Sequence, residues 1–253
     1  MAPYPFQRIR SASRIGPGNL LIYVKDKGRV DFIHPEYVAH IINLFANSDA
    51  VFSVDTGMCC VWGARYIEAT DERRLLDSFN HGSMANAMPQ AIGAAFACPG
   101  RQVIAFCGDG GLSMSMGDLA TIVQYKLPIK IIVFNNRSLG MVKLEMEVMG
   151  LPEWQTKMYN PDFALIAEAM GLKGFTLRDP DLVEETIIKV LGYDGPALVN
   201  VFTDSNALAM PPKIDFKQIT GMATAMYKMV MEGEFWEVVE KVKANYKHAK
   251  ELM

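Results

Sequence analysis

Asp109 follows the apolar run Ile104-Ala105-Phe106-Cys107 in the string Gly108-Asp109-Gly110-Gly111, and the next such run, Ile131-Ile132-Val133-Phe134, closes in Asn135-Asn136. Both runs are short, rich in β-branched and aromatic residues, and stop at small or oxygen-bearing residues. That is the pattern of a buried strand reaching the edge of a sheet. A carboxylate and a carboxamide brought to one edge suit a hard cation such as Mg²⁺, which takes oxygen ligands and completes its shell with waters and phosphates. Gly108, Gly110 and Gly111 let the backbone approach an anion, and a helix opening after them adds unpaired N–H groups. Together these parts describe a diphosphate tied to the protein through Mg²⁺. Either half alone is more often an ordinary strand-to-helix turn; paired across one crossover, the two halves favour the cation site.

The pair converges only if the elements between its members bring it together. Leu112 to Tyr125 reads as one helix with Leu112, Met116, Leu119, Ile122 and Val123 on its apolar side, so the segment is strand, helix, strand. A right-handed crossover makes the two strands parallel, and open α/β sheets bind ligands beyond the carboxyl ends of their strands. The same alternation runs along the chain. Helices are expected at Tyr37 to Phe45, Met58 to Tyr66, Gly82 to Ala97, Leu139 to Val148, Pro161 to Met170 and Asp181 to Leu191; strands are expected at Ala50 to Val54, Gly174 to Leu177 and Ala197 to Phe202. The expected fold class is α/β, a doubly wound parallel sheet with helices on both faces.

With 253 residues, half of them hydrophobic, the chain can bury one good-sized core. Residues 1–33 read as an extension or linker, 34–212 as the α/β domain and 213–253 as a helical tail. In the tail Phe235, Val239, Val242 and Tyr246 make an amphipathic stripe that suits docking on the chain's own fold, a partner or a membrane surface. A net charge of −3 and no basic stripe argue against nucleic acid. The four cysteines, Cys59, Cys60, Cys98 and Cys107, lack metal-site spacing, and Cys98 and Cys107 are expected as buried thiols in a reducing cytoplasm. No apolar run is long enough for a membrane span, and Met1-Ala2-Pro3-Tyr4-Pro5 opens no signal sequence.

Gly108-Asp109-Gly110 with Asn135-Asn136 resembles the signature of the thiamine-diphosphate enzymes. The stretch Ser78-Phe79-Asn80-His81-Gly82-Ser83-Met84-Ala85-Asn86-Ala87-Met88-Pro89-Gln90-Ala91 resembles the quinone-linked pyruvate oxidases of that superfamily. The similarity runs from about His34 to Pro212. It implies a thiamine-diphosphate-binding fold in which Asp109, Asn136 and the Ser138 carbonyl hold Mg²⁺. Gly57 and Met58, with Asp55 and Thr56, lie over the diphosphate. The same resemblance implies that Met84 wedges beneath the cofactor's thiazolium ring and that the Gly82 carbonyl orients its aminopyrimidine. Asn135 reads as a turn-former beside the cofactor. His81, next to Gly82, reads equally as an acid–base group or a structural histidine and receives no catalytic role.

For substrate, the telling residue is Glu145, which shares a helix face with Met141. The resemblance implies that a glutamate at this place faces pyruvate or another 2-oxo acid, whereas acetohydroxyacid synthases carry tryptophan there. On composition alone, Glu145 and Glu147 would be a solvated helix face. Met141 stands where the quinone-linked oxidases have phenylalanine between thiamine and flavin, so flavin adenine dinucleotide is expected only in a complete assembly. Catalysis in the family also needs a pyrimidine-binding domain, for which residues 1–33 are too few. The chain is therefore expected to act as a fragment or subunit of an oligomeric pyruvate oxidase, inactive without a pyrimidine-domain partner. The alternatives are a piece of an acetolactate synthase-type carboligase, or a non-catalytic cofactor-binding module.

Overall fold

The computed structural model describes residues 26–207 and 216–251. The apolar run Asn19 to Val24 and the boundary expected at residue 212 lie outside them. Two short strands, β1 (Gly28–Arg29) and β2 (Phe32–Ile33), form an antiparallel hairpin. Ile33 is fully buried and bridges to Thr203, so the end of the expected extension packs onto the main fold.

The chain then alternates: α1 (Pro35–Phe45), β3 (Val51–Val54), α2 (Met58–Tyr66), β4 (Arg74–Leu76), α3 (Ala87–Ala97), β5 (Val103–Gly108), α4 (Asp109–Ser115), α5 (Leu119–Gln124), β6 (Lys130–Asn135), α6 (Gly140–Val148), α7 (Phe163–Met170), β7 (Lys173–Leu177), α8 (Val183–Gly192) and β8 (Ala197–Phe202). Strands β3 to β8 form one six-stranded sheet in the order β4-β3-β5-β6-β8-β7, with every pairing parallel. This is the doubly wound α/β fold expected from the alternation.

Side chains alternate across the sheet. Phe52, Val54, Ile104, Phe106, Ile132, Phe134, Val199 and Val201 pack under α1, α2 and α8. Val51, Val103, Ala105, Cys107, Ile131, Val133 and Leu198 pack under α3, α5 and α7. From β3 the chain moves outward to β4 and then returns to the other side of β3 as β5. The loops after β3 and β5 therefore diverge, and the crevice between them is where such sheets bind ligands.

Two expected helices differ in their bounds. The helix expected over Gly82 to Ala97 begins at Ala87, because Gly82 and Ala85 both have positive φ, 71° and 60°, which no α-helix accommodates. Met84 therefore lies in a loop. The helix expected from Leu112 starts earlier, at Asp109, and is broken into α4, a 3₁₀ turn at Met116–Asp118 and α5. Gly117 lies in the break, and the Ser113 and Ser115 hydroxyls donate back to the carbonyls of Asp109 and Gly111, a local competition that weakens a helix. Edge strand β4 escapes pattern reading because charged residues precede it, one of which, Arg73, is buried against the carbonyls of Asn43, Ala46 and Asn47. Among the cysteines, Cys107 is a buried free thiol, while Cys98 at the end of α3 is only half-buried.

The tail forms two helices, α9 (Phe216–Met231) and α10 (Phe235–Glu251). Helix α9 lies against α6, so close that a Cβ on Gly221 would stand 1.8 Å from the Val148 carbonyl oxygen. Helix α10 docks through a charge. Phe235 and Val242 of the expected stripe stay exposed, whereas Lys241 is buried and ion-paired with Glu147, each side chain 2% exposed. Glu147 is thus no solvated residue. No helix among the described residues is long and apolar enough to cross a membrane.

Removing one member of a buried ion pair leaves the other charge without compensation. Lys241→Ala should lower the unfolding free energy by about 3–5 kcal/mol in urea titrations. The double change Glu147→Leu with Lys241→Met should cost clearly less.

Candidate functional site

Asp109 is the first residue of α4 and is 3% exposed. Its Oδ1 accepts the Gly110 N–H at 2.9 Å; its Oδ2 accepts the Arg137 N–H and the Asn160 Nδ2, both at 2.7 Å. Burial raises its pKa, and these donors act against the shift, the Asn160 contact foremost. Among the described residues it makes no ion pair.

Asn136 follows the last residue of β6, half-buried, with Oδ1 accepting the Ser138 N–H at 3.0 Å. Ser138 is buried; its carbonyl accepts the Gly140 N–H at 2.8 Å, and its Oγ has no partner. One cleft is lined by Gly57, Met58, Met84, Gly108, Asp109, Gly110, Gly111, Asn136, Ser138 and Met141. Nearly all the residues singled out from the sequence are thus brought together, while Gly82 and Glu145 lie outside this lining. Gly82 is in the exposed loop beside Thr56, with His81 also exposed. Glu145 is exposed one turn past Met141 on α6.

Met84 is 41% exposed, and its Cε would lie 3.3 Å from a Cβ placed on Gly110. It therefore stands over the glycine loop as a side-chain wall. Gly111 allows a still closer approach, since a Cβ there would come within 2.1 Å of Asp55 Oδ2.

The sequence placed the loop after β3 over the diphosphate but gave the Asp55 carboxylate no task of its own. That carboxylate, 2% exposed, accepts the Ala87 N–H on Oδ1 at 2.8 Å and the Gly108 N–H on Oδ2 at 3.2 Å. It ties the start of α3, and hence the Met84 loop, to the end of β5. A strand-end aspartate before Gly57 was the available signal. Asn160 was also missed, its place before Pro161-Asp162 reading only as a helix entry. Asn135 proves to be a buried strand residue rather than a turn-former, 2% exposed, with its amide on Asn160 and Asn200.

The donor set fits a hard cation. A buried carboxylate without a counter-charge, an amide oxygen and a carbonyl oxygen converge on one cleft beside an unpartnered hydroxyl. No group of three or more His, Cys, Asp or Glu gathers among the described residues.

Comparison with known families decides the cofactor. The family described as thiamine pyrophosphate enzyme, C-terminal TPP binding domain, matches residues 55–201, which include every lining residue from Asp55 to Val142. The chain belongs to the thiamine pyrophosphate enzymes. It carries their C-terminal cofactor-binding domain. This domain is similar to the putative thiamine pyrophosphate-containing protein YdaP of Bacillus subtilis (strain 168), with 36% identity over 81% of the chain and 36% of that protein. It is similar also to the acetolactate synthase large subunit of Lactococcus lactis subsp. lactis (strain IL1403), 32% identical over 71% of the chain and 31% of that protein. The probable acetolactate synthase large subunit of Methanococcus aeolicus is 33% identical over 70% of the chain and 30% of that protein. The chain spans about a third of the length of these relatives. The resemblance to pyruvate oxidases in particular is not what these relatives' names carry.

Burial raises the Asp55 pKa from 3.8 to about 6. A folded value above the unfolded one means that stability present below pH about 4 is lost as pH climbs towards 6. In metal-free protein the Asp55→Asn variant should lack this slope. Its unfolding free energy should gain on that of the wild type between pH 4 and 6, by an amount on the order of 3 kcal/mol. Denaturant titrations at successive pH values check it, and parallel curves would refute it.

Proposed function

We propose that this domain binds thiamine diphosphate through Mg²⁺, and that it serves an enzyme acting on pyruvate or another 2-oxo acid. The single observation that carries the reading is Asp109, a buried carboxylate oriented by three N–H donors and left without a counter-charge. Asp109 and Asn136 would hold the ion by side-chain oxygens and Ser138 by its carbonyl. Mg²⁺ would neutralise the diphosphate and anchor it, the usual role of an ion with few protein ligands. Thiamine diphosphate, when bound, supplies an electron sink for the carbon that loses CO₂.

The chain's own residues bind and orient. Gly57, Met58, Gly108, Gly110 and Gly111 keep the diphosphate end of the cleft open to close backbone approach. Met84 and Met141 wall the end where chemistry would occur, and Gly82 shapes the loop that carries Met84. Helix α6 has one face fixed by two buried ion pairs, Lys143 with Glu153 at 3.0 Å and Glu147 with Lys241. Met141, Val142 and Glu145 lie on its other side. Glu145, exposed one turn beyond the cleft-lining Met141, is the candidate for a group that reaches the substrate.

Glu145 supports an oxidase-type enzyme, in which decarboxylation is followed by electron transfer to flavin and then quinone. The names of the relatives support a second reading, a carboligase of the acetolactate synthase type. Either activity needs a pyrimidine-binding domain, from further sequence or from another chain, in a homo- or hetero-oligomer. Supplying that domain with pyruvate separates the readings, since acetate with a reduced acceptor marks the oxidase and acetolactate the carboligase.

The 253-residue chain by itself should bind thiamine diphosphate weakly, only with Mg²⁺, and leave pyruvate unconsumed. Calorimetric titration with and without Mg²⁺ checks the binding, and Asp109→Ala should abolish the Mg²⁺-dependent part of it. Tight metal-free binding by the wild type would count against the proposal, as would pyruvate turnover by the purified chain.

A further inference from the structure

Asn200 is fully buried in the middle of β8, the one polar side chain in Ala-Leu-Val-Asn-Val-Phe. Neither packing nor strand propensity calls for an amide there. Its Oδ1 accepts Asn135 Nδ2 at 2.9 Å; Asn135 Oδ1 accepts Asn160 Nδ2 at 2.8 Å; and the same Nδ2 donates to Asp109 Oδ2 at 2.7 Å. Three amides thus run from β8 past the end of β6 to the carboxylate after β5.

The direction of this chain is fixed from one end. An ionised carboxylate only accepts, so Asn160 must present its NH₂ to Asp109. The second acceptor on that NH₂ is Asn135 Oδ1, which leaves Asn135 Nδ2 for Asn200. Asn160 itself is held by the helix entry that follows it, where the Asp162 side chain caps α7 by accepting the N–H groups of Ala164 and Leu165.

The consequence falls on Asp109. A carboxylate oxygen has about two lone-pair positions. Oδ2 accepts two donors, Arg137 N and Asn160 Nδ2, and is saturated; Oδ1 accepts only the Gly110 N–H and keeps one position free. A lysine or arginine could fix the carboxylate equally well but would cancel its charge and compete with a cation. Neutral amides orient it and leave the charge available. The arrangement also has a cost, because Asn160 Oδ1 and Asn200 Nδ2 are buried with no hydrogen-bond partner. A polar chain with two open ends is a poor stabilising device, which favours a role in the site.

We infer that Asn160, held through Asn135 by Asn200, is the positioning residue that turns Asp109 Oδ1 toward the bound cation. This rests on the reading of Asp109 as a Mg²⁺ ligand. Groups that orient metal ligands typically change metal affinity by about 10–100-fold when removed. Mg²⁺ demands near-ideal octahedral geometry, whereas Ca²⁺ tolerates irregular shells, so a loosened carboxylate should penalise Mg²⁺ more.

The test is calorimetric titration of Mg²⁺, and separately of Ca²⁺, into the full chain with thiamine diphosphate present. It compares the wild type, Asp109→Ala, Asn160→Ala and the volume-keeping Asn160→Leu. Both Asn160 variants should stay folded without metal, at some cost in melting temperature because a donor to a buried carboxylate is lost, and should lose about 10–100-fold in Mg²⁺ affinity and less for Ca²⁺. If Asp109→Ala abolishes Mg²⁺ binding while the Asn160 variants bind as the wild type does, or weaken equally for both ions, the positioning role is wrong. If Asp109→Ala retains the Mg²⁺ requirement, the metal reading itself is wrong and the role of Asn160 falls with it.

Discussion

Everything around the cleft answers to one constraint, a carboxylate kept out of water with no opposite charge beside it. Burying a lone ionised group is costly unless hydrogen bonds or a counter-ion compensate it. At Asp109 the compensation comes from three segments that are distant in sequence: its own helix start, the turn after β6 and the loop before α7. Displacing any of these would leave the charge worse solvated, so the site's stability and its geometry are one problem. The parallel sheet solves it by delivering the ends of neighbouring strands to one edge.

Asp55 shows the same logic on the other side of the crevice. Its carboxylate is buried too, and its two backbone donors, Ala87 and Gly108, belong to the two elements that flank the cleft. Desolvation pushes its pKa to about 6, well above that of Asp in water. The Asp55 carboxylate acts as a brace: it spans from β3 to the start of α3 and to the end of β5, and Gly111 has no side chain because this brace occupies the space.

Legibility in the sequence divides along physical lines. Strands buried on both faces announce themselves as continuous apolar runs, and β3, β5, β6 and β8 were readable for that reason. That Asp109 and Asn136 meet at one cleft was readable because each closes an apolar run with a strand–helix–strand crossover between them. Asn160 was not, since it acts across space from a loop whose only local mark is the Pro161-Asp162 helix entry. The bend in the crossover helix and the late start of α3 were missed for another reason. They depend on Ser113, Ser115 and the positive φ of Ala85, where local hydrogen bonding and backbone strain override an apolar period. Glu147 read as solvated because a charge buried against a distant partner, here Lys241, looks in sequence like any surface residue.

That last pair also bears on the shape of the cleft. Helix α6 has nine residues, too short to hold its orientation by itself, and its first turn forms part of the cleft wall. Lys143 and Glu147, one turn apart, are both buried against other segments, at Glu153 of the following loop and at Lys241 of α10. Two fixed points on one face determine the helix's rotation, and with it the direction of Met141 and Glu145 on the opposite side. An apolar stripe could dock the helix as firmly, but it would tolerate sliding, whereas buried charge pairs lose their partners when displaced. On this argument the tail helix α10, which lies outside the residues matched by the family, helps set which part of α6 faces the cleft.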